Sequence, residues 1–191
     1  ILQGEIRLDS QKHHSKLIPQ GVSVLKIPQQ KVWLVFRNYH LDWQGQELTQ
    51  ILKRVQQWEN AGNHIQGIQI DFDAKTKHIH QYALFLSQLR KQLPQHYQLS
   101  ITGLMDWTNV TNQETLNLLN NTIDELVIQT YQGSTTIPNY AAYLKKVSAL
   151  KLPYKIGIVQ YGEWHRPPKL ENDPNFKGYV VFLLRSKPQN N

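Results

Sequence analysis

The chain has no cysteine among its 191 residues. That removes disulfides, thiolate nucleophiles and cysteine-ligated zinc or iron–sulfur centres together, and it leaves the redox compartment open. No apolar run approaches the roughly 18 residues that a membrane-spanning helix needs. Phosphate-cradling Gly-x-Gly-x-x-Gly and Walker loops are missing, and so is a Gly-x-Ser-x-Gly elbow, so nucleotide and serine-hydrolase chemistry have no local signature. Basic runs are missing too. The 21 Lys plus Arg against 14 Asp plus Glu give a net charge of +7, but these cations are scattered from Arg7 to Lys187. With no zinc-finger spacing and no aromatic-plus-Arg strand, no nucleic-acid partner is expected. The chain opens at Ile1 without an initiator Met, which reads as a processed or trimmed product whose targeting segment would already be gone.

What is present is a globular composition, with 40% hydrophobic residues. The length suits one domain with one good core and excludes two large ones. From residue 32 onward, short β-branched runs alternate with longer amphipathic stretches, the pattern of repeated β-α units around a parallel sheet. The runs Val32 to Arg37, Gln66 to Phe72, Gln98 to Met105, Glu125 to Tyr131, Tyr154 to Tyr161 and Tyr179 to Leu184 predict six strands. Between them, helices are predicted through Leu48 to Trp58, Ile79 to Leu93, Leu116 to Ile123 and Tyr140 to Leu150. Residues 1–31 form an irregular N-terminal part that offers Leu2 to Leu8 and Val22 to Ile27 as further short strands, and residues 185–191 form a tail.

Six sequential parallel strands suit either an open doubly wound sheet or a (β/α)8 barrel. Central strands of a doubly wound sheet read as nearly continuous apolar runs. Several strands here carry polar side chains at period two, which a barrel lumen accommodates, so the expectation is an α/β chain with a TIM-type (β/α)8 barrel. Such barrels usually take around 250 residues. About seven strands are therefore expected here, with the missing material before Ile1.

The segment Gly67-Ile68-Gln69-Ile70-Asp71-Phe72-Asp73 carries the chemistry. Alternation along a strand puts Gln69, Asp71 and Asp73 on one face and Ile68, Ile70 and Phe72 on the other. Unpaired carboxylates on a buried inner face would cost several kcal/mol. Burial and like charge should raise at least one of the two pKa values, as a general acid at neutral pH requires. Cα atoms two apart on a strand are about 6.6 Å apart, near enough for two carboxyls to divide acid and orienting roles. The plainer alternative makes Asp73 a cap for the following helix. Asp106 and Trp107 end the third of the six strands, Arg37 and Tyr39 end the first, and Glu163 follows the fifth as a backup acid or base. Trp107 and Trp164 can stack on a sugar face or pack as loop aromatics. His78 and His80 point to different faces and make a poor metal pair.

The run G-I-Q-I-D-F-D resembles the family 18 glycoside hydrolase (chitinase-like) signature G-I-D-I-D-W-E, which ends in the catalytic acid. By that resemblance Asp73 matches the acid, Asp71 the aspartate beside it, and Gln69 the first aspartate. Gln129-Thr130-Tyr131-Gln132 resembles the strand-six M-x-Y-D motif, which implies substrate contact by Tyr131 and Gln132. The run ending in Tyr161-Gly162 resembles that family's strand-seven motif. Almost the whole chain is also similar to a bacterial domain-of-unknown-function family related to such barrels, through V-W-L-V-F-R, G-I-Q-I-D-F-D-A, L-S-I-T-G-L-M-D-W, V-I-Q-T-Y-Q-G and G-Y-V-V-F-L-L. The departures are physical. Asp at the acid position is one methylene shorter than Glu, which withdraws the carboxyl by about 1.5 Å, and displacements of that size can cost around 10²-fold. Gln69 and Gln132 stand where carboxylates would, and the last strand lacks the tryptophan that floors the sugar site.

The resemblance implies a glycoside hydrolase acting on a polysaccharide or amino-sugar glycan, with Asp73 as general acid and Asp71 orienting it. Gln69, Tyr131, Gln132, Asp106, Trp107, Tyr161, Glu163, Trp164 and Arg37 are its candidate substrate-binding residues. The alternative is a non-catalytic carbohydrate-binding protein on a degenerate barrel. A third reading gives the Asp pair to Mg²⁺ or Ca²⁺. The expected partner is a carbohydrate, no cofactor or metal is implied, export from a bacterium is expected, and oligomeric state is not legible.

Overall fold

The computed structural model describes residues 1–9 and 14–184. Along the chain run β1 (Leu2–Leu8), β2 (Ser15–Pro19), β3 (Lys31–Asn38), α1 (Gln46–Asn60), β4 (His64–Asp71), α2 (Ile79–Gln92), β5 (Gln98–Leu104), α3 (Gln113–Thr122) and β6 (Glu125–Gln129). A small hairpin of β7 (Tyr131–Gln132) and β8 (Thr135–Thr136) follows, then α4 (Tyr140–Leu144), β9 (Tyr154–Val159) and β10 (Phe176–Phe182).

Eight of these strands form one sheet in the order β10-β9-β6-β5-β4-β3-β1-β2. Every neighbouring pair is parallel except β1 with β2. Apart from the antiparallel edge strand β2, the strands lie in chain order without reversal. Right-handed crossovers between parallel strands laid in chain order all fall on the same side, so the helices cover one face and leave the other without them. A doubly wound sheet would switch direction and cover both faces. Among the described residues no pairing joins β10 to β1 or β2. The sheet is open, mixed α/β with seven parallel strands and one antiparallel edge strand, and a complete (β/α)8 barrel is not formed by these residues.

The core lies between the sheet and the helices. Val32, Leu34 and Phe36 of β3, Ile68 and Ile70 of β4, Leu99 and Ile101 of β5, Leu126 and Ile128 of β6, and Ile156 of β9 are buried. They meet Ile51, Val55 and Trp58 of α1, Tyr82, Leu86 and Leu89 of α2, and Leu116 and Leu119 of α3. Each such side chain contributes about 1.5–3 kcal/mol by leaving water. The alternate residues of the same strands face away from the helices and are where polar groups collect.

Helix ends follow local chemistry. The Gln44 N–H donates to the Glu47 carboxylate at 3.0 Å in the first turn of α1, and Asn112 caps α3 by accepting the Thr115 N–H at 2.9 Å. Gly67 faces the open side of β4, where a Cβ would stand 2.1 Å from the backbone oxygen of Gln98 and 2.8 Å from the Trp33 ring. Only a glycine lets the strands and that indole meet there.

Two expectations need correction. Val22 to Ile27 is not a strand; the second N-terminal strand is β2, which takes the outer edge of β1. With that edge occupied, side-chain amides instead satisfy the 22–27 backbone: Gln3 Nε2 donates to the Val22 carbonyl at 2.9 Å, Asn63 Nδ2 to the Leu25 carbonyl at 2.8 Å, and the Ile27 N–H to Asn63 Oδ1 at 2.8 Å. The single helix expected over Tyr140 to Leu150 breaks into α4 and a 3₁₀ turn at Val147–Leu150. Leu144, Val147 and Leu150 are all buried, and a spacing of three suits a 3₁₀ turn better than an α-helix. The expected strands also overrun slightly, since β6 stops at Gln129 and β9 at Val159. The expected tail, 185–191, lies outside the described residues. Among the described residues no helix is long and apolar enough to cross a membrane.

Gln3 is the buried polar joint of the N-terminal edge. Its Oε1 accepts from Trp58 Nε1 at 2.7 Å and Arg54 Nε at 2.8 Å, while its Nε2 donates to the Leu2 and Val22 carbonyls. Replacing it by Leu orphans the buried Trp58 N–H and the Val22 carbonyl. Gln3→Leu is expected to lower the denaturant midpoint by the equivalent of about 2–4 kcal/mol at constant m. Adding Trp58→Phe, which removes the orphaned donor, should cost less than the sum of the two single changes in a double-mutant cycle.

Candidate functional site

On the helix-free face, register brings the polar residues of neighbouring strands side by side. Glu5 pairs with Arg37, and Arg37 with Asp71. One step back along the strands, Gln69 pairs with Ser100, and Ser100 with Glu125. Two rows result, the first nearer the carboxyl ends of the strands.

In the first row the Thr102 hydroxyl donates to Asp71 Oδ1 at 2.8 Å, and Arg37 Nε stands 3.8 Å from Asp71 Oδ2. Glu5 is turned away from Arg37: its carboxylate accepts from Arg7 Nε at 2.8 Å and from the Tyr39 hydroxyl at 3.5 Å, with the Arg7 guanidinium 3.7 Å over the Tyr39 ring. In the second row Lys155 Nζ meets Glu125 Oε2 at 2.6 Å. The Ser100 hydroxyl lies 3.2 Å from Gln69 Oε1 and 3.3 Å from Glu125 Oε1, so its one proton can serve only one of them at a time. Tyr131, just past β6, stacks on Phe182 of β10 with ring centroids 5.4 Å apart.

Asp71 is the perturbed acid of this face. Burial raises its pKa above the ordinary value; the Thr102 hydrogen bond and the Arg37 charge pull it down, and the neighbouring Asp73 charge pushes it up. Burial also pushes the Tyr131 phenol up to about 12, with the charge of Asp71 adding to the rise and the Gln129 side chain and Arg37 opposing it. Asp71, Arg37, Gln129 and Tyr131 therefore share one electrostatic neighbourhood at the carboxyl end of the sheet, where parallel α/β sheets hold their ligands.

The other predicted residues are placed as follows. Asp73 lies beyond the end of β4, exposed, and among the described residues none hydrogen-bonds or ion-pairs with its carboxylate. Gln132 is exposed on the small hairpin, while Gln69 sits in the second row. Tyr161 is 61% exposed and adopts a left-handed backbone, φ 65°. Glu163 is an exposed loop residue whose carboxylate meets His165. Three are engaged in holding the fold together. Trp107 is 1% exposed and its Nε1 donates to the Ala74 carbonyl at 2.7 Å, which leaves no ring face for a sugar. Asp106 holds the turn before α2, accepting the Thr76 hydroxyl at 2.7 Å and the Thr76 N–H at 3.3 Å. Trp164 packs between Tyr140 of α4 and Tyr179, which lies on the helix side of β10.

Thr102, Gln129, Phe182 and the Glu125–Lys155 pair were not singled out from sequence. Period-two reading puts each on a strand face, but only register shows which of them meet. Two grooves, of about 660 Å³ between α1 and α2 and about 400 Å³ beside α4, lie on the helix layer and are lined by none of the predicted site residues. Among the described residues no three His, Asp or Glu side chains converge as a metal site would require.

The model of the family described as domain of unknown function, DUF3142, matches residues 39–137, just over half of the chain. The chain belongs to this family. The DUF3142 match runs from Tyr39, just after β3, to Ile137 and so contains Asp71, Asp73, Thr102 and Tyr131, while β1, β2, β3, β9 and β10 lie outside it. No curated protein matches the chain. Among solved structures, the crystal structure of the Bacillus cereus spore cortex-lytic enzyme SleL is similar at 18% identity and a TM-score of 0.49, over 82% of this chain and 42% of that one. The DUF3142 chain thus spans less than half the length of that structure.

Because the Asp71 pKa is raised in the folded state, the folded protein holds this proton more tightly than the unfolded chain does. The associated stability is fully present below the unfolded value of about 3.8 and is lost as pH rises through the folded value. Asp71→Asn keeps an acceptor for Thr102 and removes the buried charge. Its thermal midpoint relative to the natural chain is expected to rise as pH climbs above about 4 and then level off. In Arg37→Gln the loss of the guanidinium should move the Asp71 titration to still higher pH, read by carboxyl carbon NMR.

Proposed function

We propose that this chain is a glycan-acting domain of (β/α)-barrel type, with the carboxyl end of its helix-free face as the sugar site. The observation that carries the reading is Asp71: a largely buried carboxyl with a raised pKa, held by Thr102 and faced by Arg37 and Tyr131, one strand step from the exposed Asp73. Acid-catalysed glycosidic cleavage divides its work between two carboxyl groups, and two carboxyls of contrasting environment stand at the end of one strand here. The sequence resemblance assigns the proton donor to Asp73 and the orienting role to Asp71. Asp73 is free to approach a leaving oxygen, and Asp71 can share or withhold charge beside it. The Tyr131 hydroxyl, kept protonated by its raised pKa, is available as a hydrogen-bond donor. Phe182, 48% exposed and stacked on Tyr131, offers a ring at the site although the strand has no tryptophan.

A second reading, glycan binding without cleavage, is favoured by one feature. Among the described residues no hydrogen bond positions the Asp73 carboxylate, and general acids act only from a defined geometry. Hydrolysis of chito-oligosaccharides and peptidoglycan-derived oligosaccharides, followed by product release, separates the two. Asp73→Asn and Asp71→Asn should each lower the rate by about 10²-fold or more while oligosaccharide binding survives. Hydrolysis untouched by Asp73→Asn would remove the proposed acid. Binding with no product from the natural chain would establish the second reading.

A further inference from the structure

We propose that Arg37 is the specificity residue of this site and selects a glycan bearing a carboxylate, such as a polymer containing hexuronic acid; this rests on the glycan reading above. The observation is an unspent guanidinium. Arg37 is flanked in register by two carboxylates, Glu5 on β1 and Asp71 on β4, yet it hydrogen-bonds to neither. Glu5 is committed to Arg7 and Tyr39. Asp71 is committed to the Thr102 hydroxyl at 2.8 Å and leaves Arg37 Nε at 3.8 Å, an ion-pair distance too long for a hydrogen bond. Among the described residues Arg37 also stands loosely by the Tyr39 ring, 5.9 Å from its centroid.

A guanidinium carries five donors in a planar fork that matches the two oxygens of a carboxylate. Arg7, one strand away, shows what this site does with an arginine meant to be structural: it is ion-paired and stacked on an aromatic ring. Arg37 makes the same two kinds of contact only at long range, 3.8 Å from Asp71 and 5.9 Å from the Tyr39 ring centroid, beside the carboxyl on which the proposed chemistry depends. The tendency of Asp71 to hold its proton further weakens competition for the fork. A sugar acid laid over the first row could place its carboxylate on the Arg37 Nη atoms while a neighbouring ring lies over Asp71 and Tyr131.

The test compares two tetrasaccharides that share N-acetylglucosamine and differ in charge, chitotetraose and a hyaluronan tetrasaccharide, by calorimetry with the intact chain at fixed ionic strength. The natural chain is expected to bind the acidic one about tenfold or more tightly, the scale of one charge-assisted bidentate contact. Arg37→Gln should abolish that preference, bringing the ratio of the two affinities to about one. Arg37→Lys, which keeps the charge but not the fork, should retain only part of it. Lys53→Gln on α1 removes the same charge from an exposed position elsewhere and should change nothing, which excludes a general effect of net charge. Equal binding of the two sugars by the natural chain, or a preference that survives Arg37→Gln, overturns the proposal and leaves the glycan reading standing. Failure to bind either sugar overturns both.

Discussion

Parallel strands laid side by side in chain order force each right-handed crossover onto the same face of the sheet, and the rest of this molecule depends on that constraint. One face of β3, β4, β5, β6 and β9 lies under the helix layer and is mainly apolar, with Asn38 a buried polar exception. The other face has no helices to pack against. Polar side chains can therefore stand on it without being sealed under an apolar layer, provided they satisfy one another across the strands. They do so in rows set by register, Arg37 to Asp71 to Thr102 in one and Gln69 to Ser100 to Glu125 to Lys155 in the next.

The two rows differ in how completely they are satisfied. The Glu125–Lys155 pair is short, and Gln69 and Ser100 complete its surroundings, so this row joins β4, β5, β6 and β9. The first row is looser. Asp71 is buried enough to resist ionisation, Arg37 stands back from it, and Asp73 has left the strand for solvent. A fold gains nothing from such incomplete pairing, whereas a site that must receive a ligand does, because unspent donors and a perturbed acid are what a substrate meets. The contrast between a closed row and an open one, a single strand step apart, is what the proposed site at the carboxyl end of the sheet rests on.

Much of the fold was legible in the residues because strand and helix periods leave strong marks. Ile68 and Ile70 alternate with Gln69 and Asp71 and predict both the strand and its buried face, the run Val32 to Phe36 predicts a strand, and Leu48, Ile51, Val55 and Trp58 predict α1 and its buried face. Reading failed where the period was short or shared. Leu144, Val147 and Leu150 fit an α-helix loosely and a 3₁₀ turn better. Val22 to Ile27 is apolar enough for a strand, but β2 had already taken the available edge. The aromatics at strand ends were ambiguous for a related reason. Trp107 and Trp164 look alike in sequence to a sugar-stacking residue, and both are packed into the fold.

The sequence by itself determined that this is a β-α chain with a parallel sheet, and that Gln69 and Asp71 leave their strand on the polar side, since alternation is a local property of an extended backbone. Tertiary structure decided what those residues meet. The partnership of Asp71 with Thr102 and Arg37, the reach of the Tyr39 hydroxyl to Glu5, and the stacking of Phe182 on Tyr131 all join residues dozens of positions apart in sequence. Register is set by the packing of whole strands and helices against one another rather than by any one strand's own residues. A raised pKa or an unspent guanidinium is a property of that assembled neighbourhood, and it exists only once the strands are side by side.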